Sequence, residues 1–214
     1  MSALLDHLFS FPPNEQLVGA NVYLRPPRDS DWKEWAELRE VSRDFLEPWE
    51  PTWPKDALTR SAYRRRLRHY AEQWRNGSGY SYFVVRRSDA VLLGGLTLSN
   101  VRRGITQSGS LGYWIGEPYA RQGVMTEALR SALCFCFDNL TLHRVEAACL
   151  PANVSSRRLL DKCGFREEGY ATKYLKIDGE WADHVLFAML REEAMRVVPG
   201  LADGGREAGE TTEF

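Results

Sequence analysis

The stretch "ARQGVMTEAL" (120–129) sets a glycine, Gly123, at the mouth of a long apolar-striped run. The first N–H groups of a helix have no partner within it, and the aligned peptides leave partial positive charge there. A strand turning tightly into such a helix forms an anion site, and a glycine lets a phosphate approach the backbone. Arg121 lies beside that glycine and Thr126 falls in the first turn. The same glycine could also be a plain hinge, so the stretch needs support from its surroundings.

The elements that would position it follow from hydrophobic period and capping residues. "NVYLRPP" (21–27) reads as a short strand stopped by prolines. Asp29, Ser30 and Asp31 offer caps, with Glu34 three residues after Asp31, for a helix to about Val41 faced by Trp32, Trp35 and Leu38. "FLEPWEPTWP" (45–54) interrupts regular structure, and a second helix spans about Thr59 to Arg75, closed by Asn76 and Gly77. "YSYFVVRR" and "AVLLGGLTLSNV" form a hairpin around Ser88 and Asp89, and "GSLGYWIG" (109–116) is the next strand. The helix after Gly123 carries Leu129, Leu133, Cys136, Phe137 and Leu140 at three- and four-residue steps.

"HRVEAACL" (143–150) is a strand leading to a helix with both ends named. Asn153 is its N-cap, Ser156 its third position, Gly164 its C′ residue, and Phe165 closes onto Leu160. A last hairpin turns at Asp178-Gly179. The order is strand, two helices, three strands, helix, strand, helix, hairpin, which predicts one α/β (α+β) domain around a mixed sheet. Residues 1–18 read as a loose lead-in, 19–195 as the domain, and 196–214, polar and glycine-rich, as a disordered tail.

Composition narrows the function. Among 214 residues, 43% are hydrophobic and seven are tryptophan, enough for a sizeable core, while the net charge of −1 argues against a phosphate-tracking nucleic-acid domain. Arginines greatly outnumber lysines, which favours anion recognition. Cys134, Cys136, Cys149 and Cys163 form no Cys-x-x-Cys pair and share no metal-like spacing with His7, His69, His143 and His184, so no metal is expected. With no signal peptide and no membrane-length apolar run, the expectation is a soluble cytoplasmic protein.

Taken together, "LGYWIG", "ARQGVM", "HRVEAACLPAN" and "CGF", in this order over residues 109–190, resemble the GCN5-related N-acetyltransferase (GNAT) superfamily. The hairpin "YLKIDGEWADHVLFAML" is similar to its RimJ/RimL-type branch, and "FLEPWEP" and "QGVMTEAL" to the ribosomal-protein-alanine N-acetyltransferases within it. The resemblance runs from about residue 20 to 190. It implies the GNAT-type acyl-CoA N-acyltransferase fold, a central mixed, mostly antiparallel sheet flanked by helices. It also implies acetyl-CoA as donor, with its pyrophosphate at Arg121, Gln122, Gly123, Val124, Met125 and Thr126. Trp114, Ile115, Gly116 and Ser156 would also bind the cofactor, and Asn153 would contact its pantetheine arm.

Three positions depart from the superfamily pattern. Ala120 stands for Arg or Gln, Met125 for Gly or Ala, and Leu160 for the tyrosine that protonates the departing thiolate. Ser156, four residues before Leu160 on the same helical face, is the nearest replacement.

The implied chemistry is direct attack of a free amine on the thioester. Backbone N–H groups of the 113–116 strand would face the thioester oxygen. Glu50, on a proline-held loop among aromatics, is the candidate general base, with Glu117 second. Trp49, Tyr113, Trp181 and Asp183, together with Glu50, are expected at the acceptor. The implied acceptor is a protein N-terminus, a small-subunit ribosomal protein beginning with alanine. A small amine such as a polyamine, aminoglycoside or amino acid, or a non-catalytic acyl-CoA-binding module, remains open. The run "RSAYRRRLRHY" (60–70) reads as a solvated basic helix face, with ribosome contact as the alternative, and neither membrane nor sequence-specific nucleic acid is expected as a partner.

Overall fold

The computed structural model describes residues 16–198 and 201. Eight strands form one sheet in the order β1-β2-β3-β4-β5-β6-β8-β7. They are β1 (Leu17–Val18), β2 (Val22–Arg25), β3 (Tyr80–Arg86), β4 (Leu92–Arg102), β5 (Ser108–Ile115), β6 (Arg144–Cys149), β7 (Arg166–Ile177) and β8 (Glu180–Leu190). Every pairing is antiparallel except β5 with β6. The helices are α1 (Trp32–Val41), α2 (Arg43–Leu46), α3 (Arg60–Asn76), α4 (Val124–Cys134), α5 (Val154–Lys162) and α6 (Arg191–Val197). Among the described residues no helix is long and apolar enough to cross a membrane.

Alternation along β3 divides the core. Phe83 and Val85 join Trp35 and Leu38 of α1 and Tyr63 and Leu67 of α3. Tyr82 and Val84 join Ala128, Leu129, Ala132 and Leu133 of α4 in the larger cluster. The period-two residues of one strand thus bind two helical layers to opposite faces of the sheet. The stripe on α4 continues through one π turn, Phe135–Asn139, whose Phe135, Cys136 and Phe137 are buried.

Local punctuation behaves as the sequence predicts. Thr59 caps α3, and Gly77 ends it at φ +69°. Asp178 and Gly179 both have positive φ, the geometry of a tight two-residue hairpin turn. Gly164, at φ +90°, closes α5 while Phe165 N donates to Leu160 O and Gly164 N to Asp161 O, a complete Schellman pair.

Four local readings need correction. Asp31 precedes α1 but makes no side-chain cap there, because its carboxylate takes both Arg25 nitrogens (2.7 and 2.9 Å) and the Arg28 N–H. Glu34 accepts from Leu92 N instead of completing a capping box. Residues 17–18 of the expected lead-in pair with β2. At the other end α6 carries the domain to Val197, with Ala194 and Val198 buried in the core, so the packed chain passes residue 196. The remainder of the lead-in and most of the tail lie outside the described residues.

Candidate acetyl-transfer site

The two parallel strands fork. β5 and β6 pair only at Ser108–Ser110 with Arg144–Glu146, and beyond that Leu111–Ile115 stays with β4 while Ala147–Cys149 stays with β8. Each branch then turns into a helix, α4 after β5 and α5 after β6. Crevices at the carboxyl ends of parallel strands are where α/β sheets bind ligands.

At the α4 end, Gly123 is the N-cap at φ +81°, with no side chain capping the helix. Nothing lies within 4 Å of where its Cβ would be, so glycine is required by backbone conformation and the space above it is open. Arg121 is also left-handed, at φ +59°, and exposed. The first-turn amides of Val124, Met125 and Thr126 therefore begin an uncapped helix beside an exposed guanidinium, a fit for pyrophosphate. Met125 buries its side chain in the core, so the residue that departs from the family pattern leaves the loop clear. Gln122 spends its side-chain N–H on Pro118 O.

At the α5 end, Asn153 accepts from Ser156 N at 3.0 Å, which makes it the predicted cap. Ser156 Oγ lies 2.7 Å from the Tyr113 hydroxyl, a bond that spans the fork from β5 to α5. Burial pushes the Tyr113 hydroxyl well above its ordinary pKa, the Ser156 contact opposing it only in part. Burial likewise raises the Cys149 thiol, with the neighbouring Ser156 opposing the shift only in part. Leu160, one turn further along, is wholly buried and belongs to the core.

On the other side of β5 opens a cavity of about 410 Å³ whose lining includes Trp35, Arg39, Glu50, Trp53, Arg66, Tyr70, Tyr113 and Trp114. Arg39 lies between two indoles, 4.1 Å from the Trp53 ring centroid and 4.9 Å from that of Trp114. Its guanidinium grips Glu50 at both oxygens, 2.8 and 2.5 Å, and Trp53 Nε1 donates to the same carboxylate at 2.8 Å. The loop "FLEPWEPTWP" is thereby clasped onto α1, and Asp178 N at the β7–β8 turn donates to Glu50 O from outside.

Of the sequence candidates, Glu50, Tyr113 and Trp114 line this cavity. Trp114, expected to bind the cofactor, presents its ring to Arg39, and a Cβ at Gly95 would strike it. Gly116 N donates to Leu93 O, so this amide is spent on the sheet and does not face a thioester. Ile115 packs on the core. Glu50 is no free base, because three of a carboxylate's roughly four acceptor positions are taken. Glu117 is exposed, its backbone N–H donating to Ser42 Oγ and its carbonyl accepting from Ala120 N.

Trp49 and Trp181 are exposed, and neither lines the cavity. Asp183 binds the Tyr170 hydroxyl and Lys173 N, a hairpin brace that those two bonds hold below the ordinary aspartate pKa. Sequence reasoning passed over Arg39, Arg66 and Tyr70 as site residues. Arg39 carried a signal, since it lies four residues after Trp35 on the apolar face of α1.

The basic run on α3 is mostly neutralised. Arg60 and Arg64 share Asp29, and Arg65 pairs with Asp56. Among the described residues no group of three or more His, Cys, Asp and Glu could hold a metal ion, and the four cysteines are free.

A family model for the acetyltransferase (GNAT) domain matches residues 21–166. A probable N-acetyltransferase of Bacillus subtilis (strain 168), YjcK, is 35% identical over 177 residues, covering 83% of this chain and 98% of its own. The [ribosomal protein uS5]-alanine N-acetyltransferase of Escherichia coli (strain K12) is 34% identical over 177 residues, 83% of this chain and 91% of that one. Mycobacterium smegmatis RimJ in complex with CoA-disulfide superposes with a TM-score of 0.76 at 35% identity, over 80% of this chain and 83% of the other.

Proposed function

The chain belongs to the GNAT acetyltransferase family and is an N-acetyltransferase, and from that premise we propose that it moves the acetyl group of acetyl-CoA to the N-terminal α-amine of a ribosomal protein, alanine being the first residue. The observation that carries the acceptor class is the cavity. Its charged lining is Arg39, Glu50 and Arg66, and the one carboxylate is already held by Arg39 and Trp53. A polycation such as spermidine finds no free carboxylate there, whereas a single amine at the end of a peptide needs none. Relatives bearing the ribosomal-protein acetyltransferase name support the same reading.

The donor would lie in the fork, its pyrophosphate on the amides of Gly123, Val124, Met125 and Thr126 beside Arg121, its arm past Asn153 toward Ser156. Tyr113, at the wall between fork and cavity, would separate donor from acceptor. An α-amine has a reference pKa of about 7.7–8, so a useful fraction is neutral near pH 7.5, while a lysine near 10.4 would need much more assistance. Holding that amine against the thioester supplies most of the acceleration. Glu50 serves as the clasp of the acceptor loop. A ribosomal acceptor implies a cytoplasmic enzyme.

Intact-mass analysis of a peptide panel incubated with acetyl-CoA tests the reading. We expect one acetyl on a free Ala-starting ribosomal-protein N-terminus, none on the same peptide with its α-amine blocked and a lysine free, and none on spermidine. Product on spermidine alone would overturn it. CoA release that never depends on an acceptor, despite tight acetyl-CoA binding, would do the same.

A further inference from the structure

The acceptor cavity carries more positive charge than it neutralises. Its lining holds two guanidiniums, Arg39 and Arg66, against one carboxylate, Glu50. Arg39 takes both Glu50 oxygens, so that pair is closed. Arg66 is left over. Glu50 acts on it through space, and among the described residues no carboxylate forms an ion pair with it. The surplus is local, since the whole chain has a net charge of −1.

Arg66 is held in place yet open to a ligand. Its guanidinium stands 5.5 Å from the Trp35 ring centroid, and its Nη1 donates to the Tyr70 hydroxyl at 3.3 Å. The residue is nonetheless exposed, and a guanidinium has further N–H groups to give. Tyr70 accepts from Arg66, so its own O–H proton can go to the same ligand. The position is an exit. Beyond the acceptor cavity lies a second hollow of about 300 Å³, and Pro54, Ala57, Arg66 and Tyr70 line both. A chain whose first residue occupies the cavity passes Arg66 and Tyr70 as it leaves. Asp56 lines the second hollow, but it is paired with Arg65 and leaves the Arg66 charge unmet.

We propose that Arg66, with the Tyr70 hydroxyl, forms a subsite for a carboxylate side chain that the acceptor peptide carries within a few residues of its α-amine. A planar guanidinium matches a carboxylate with parallel N–H groups, and it stays charged at every working pH. A basic side chain at the same place would face an uncompensated positive charge. This rests on the protein N-terminus reading above and extends it, from the amine that is acetylated to the sequence that follows it.

The test uses Ala-starting peptides with glutamate at the second, third, fourth or fifth position, each matched by a peptide with glutamine there. At one position the wild-type protein should prefer glutamate about 10-fold in kcat/KM, the lower end for a hydrogen bond between charged partners. Most of that preference should lie in KM, because the contact exists before and during the reaction. Arg66→Gln should bring the ratio to about 1, and a ratio of two substrates on one protein is untouched by any loss of folded material. Arg66→Lys keeps the charge without the planar fork and should retain part of the preference. Tyr70→Phe should lower it about 3-fold, the effect of one further hydrogen bond. Arg68→Gln removes the same charge from an exposed position of α3 that lines neither hollow, and should leave the ratio at its wild-type value.

Binding supplies a second readout that requires no turnover. Trp35, Trp53 and Trp114 line the cavity, so tryptophan fluorescence of the CoA-loaded protein reports the Kd of each peptide. The glutamate peptide should bind more tightly than its glutamine match to wild type, and equally to Arg66→Gln. No glutamate preference at any position would overturn the subsite. So would a preference that survives Arg66→Gln, or one that Arg68→Gln abolishes as fully. Wild-type protein that acetylates no peptide amine would instead sink the acceptor reading, with the ratio of Kd values still deciding the subsite.

Discussion

Beside the indoles of Trp53 and Trp114, the Arg39 guanidinium has its charge met twice, by the Glu50 carboxylate and by the two π faces. Removing one member of a buried ion pair leaves the other uncompensated, at a cost of about 3–5 kcal/mol. Arg39→Leu should therefore destabilise the protein by about 3 kcal/mol in urea unfolding and release the acceptor loop. Glu50→Gln keeps the shape and most of the hydrogen bonds. Its kcat should stay within about 3-fold, with an unshifted pH profile and a raised acceptor KM; a loss of about 100-fold or more would restore the general-base role. At this scale the sequence pointed to Glu50 through its proline-held loop. It could not show that the carboxylate is occupied, because Arg39 lies on another element.

Helix ends decide the next scale. α4 starts at a left-handed glycine with open space above it, and α5 starts at an asparagine that caps its own third residue. Gly123→Ala meets no steric obstacle, so its cost is the left-handed backbone alone, about 1–2 kcal/mol. Part of that should appear as a lowered melting temperature and part as about 10-fold weaker CoA binding by titration calorimetry, as the loop shifts off its anion geometry. Asn153→Ala removes the cap, and about 1 kcal/mol of stability should go with it. Both ends were legible in the sequence because a cap is a contact between residues three apart. The Asp31 cap failed for the complementary reason: Arg25, from a neighbouring strand, competes for the same carboxylate.

Across the whole molecule, carboxylates stitch distant elements together. Glu127 on α4 accepts from the backbone of Asn21 and Val22, and those donors overcome burial to keep its pKa low. Asp29 holds Arg64 and Arg60 of α3, and these partners bring its pKa from 3.8 to about 2. A pKa lower in the folded state contributes stability that is complete above the unfolded value and disappears as pH falls through the folded one. Stability should therefore decline between about pH 4 and pH 2. Asp29→Asn should flatten that part of the profile by about 1 kcal/mol, the size left after solvent screening of a half-exposed pair. Chemical denaturation at stepped pH measures it.

What the chain determined by itself was everything written within one turn or one strand. Gly123 before its helix, Asn153 with Ser156, Gly164 with Phe165, Asp178-Gly179 and most of the succession of strands and helices along the chain follow from neighbours within a few residues, where backbone conformation and capping are local. What only the tertiary structure decided was which side chains meet. The Arg39–Glu50 clasp and its two indoles, and the Tyr113–Ser156 bond spanning 43 positions, require α1, the loop after it, β5 and α5 to converge on one forked pair of strands. Such contacts depend on the assembled sheet, since burial and the register of distant strands, not residue type, choose the partners.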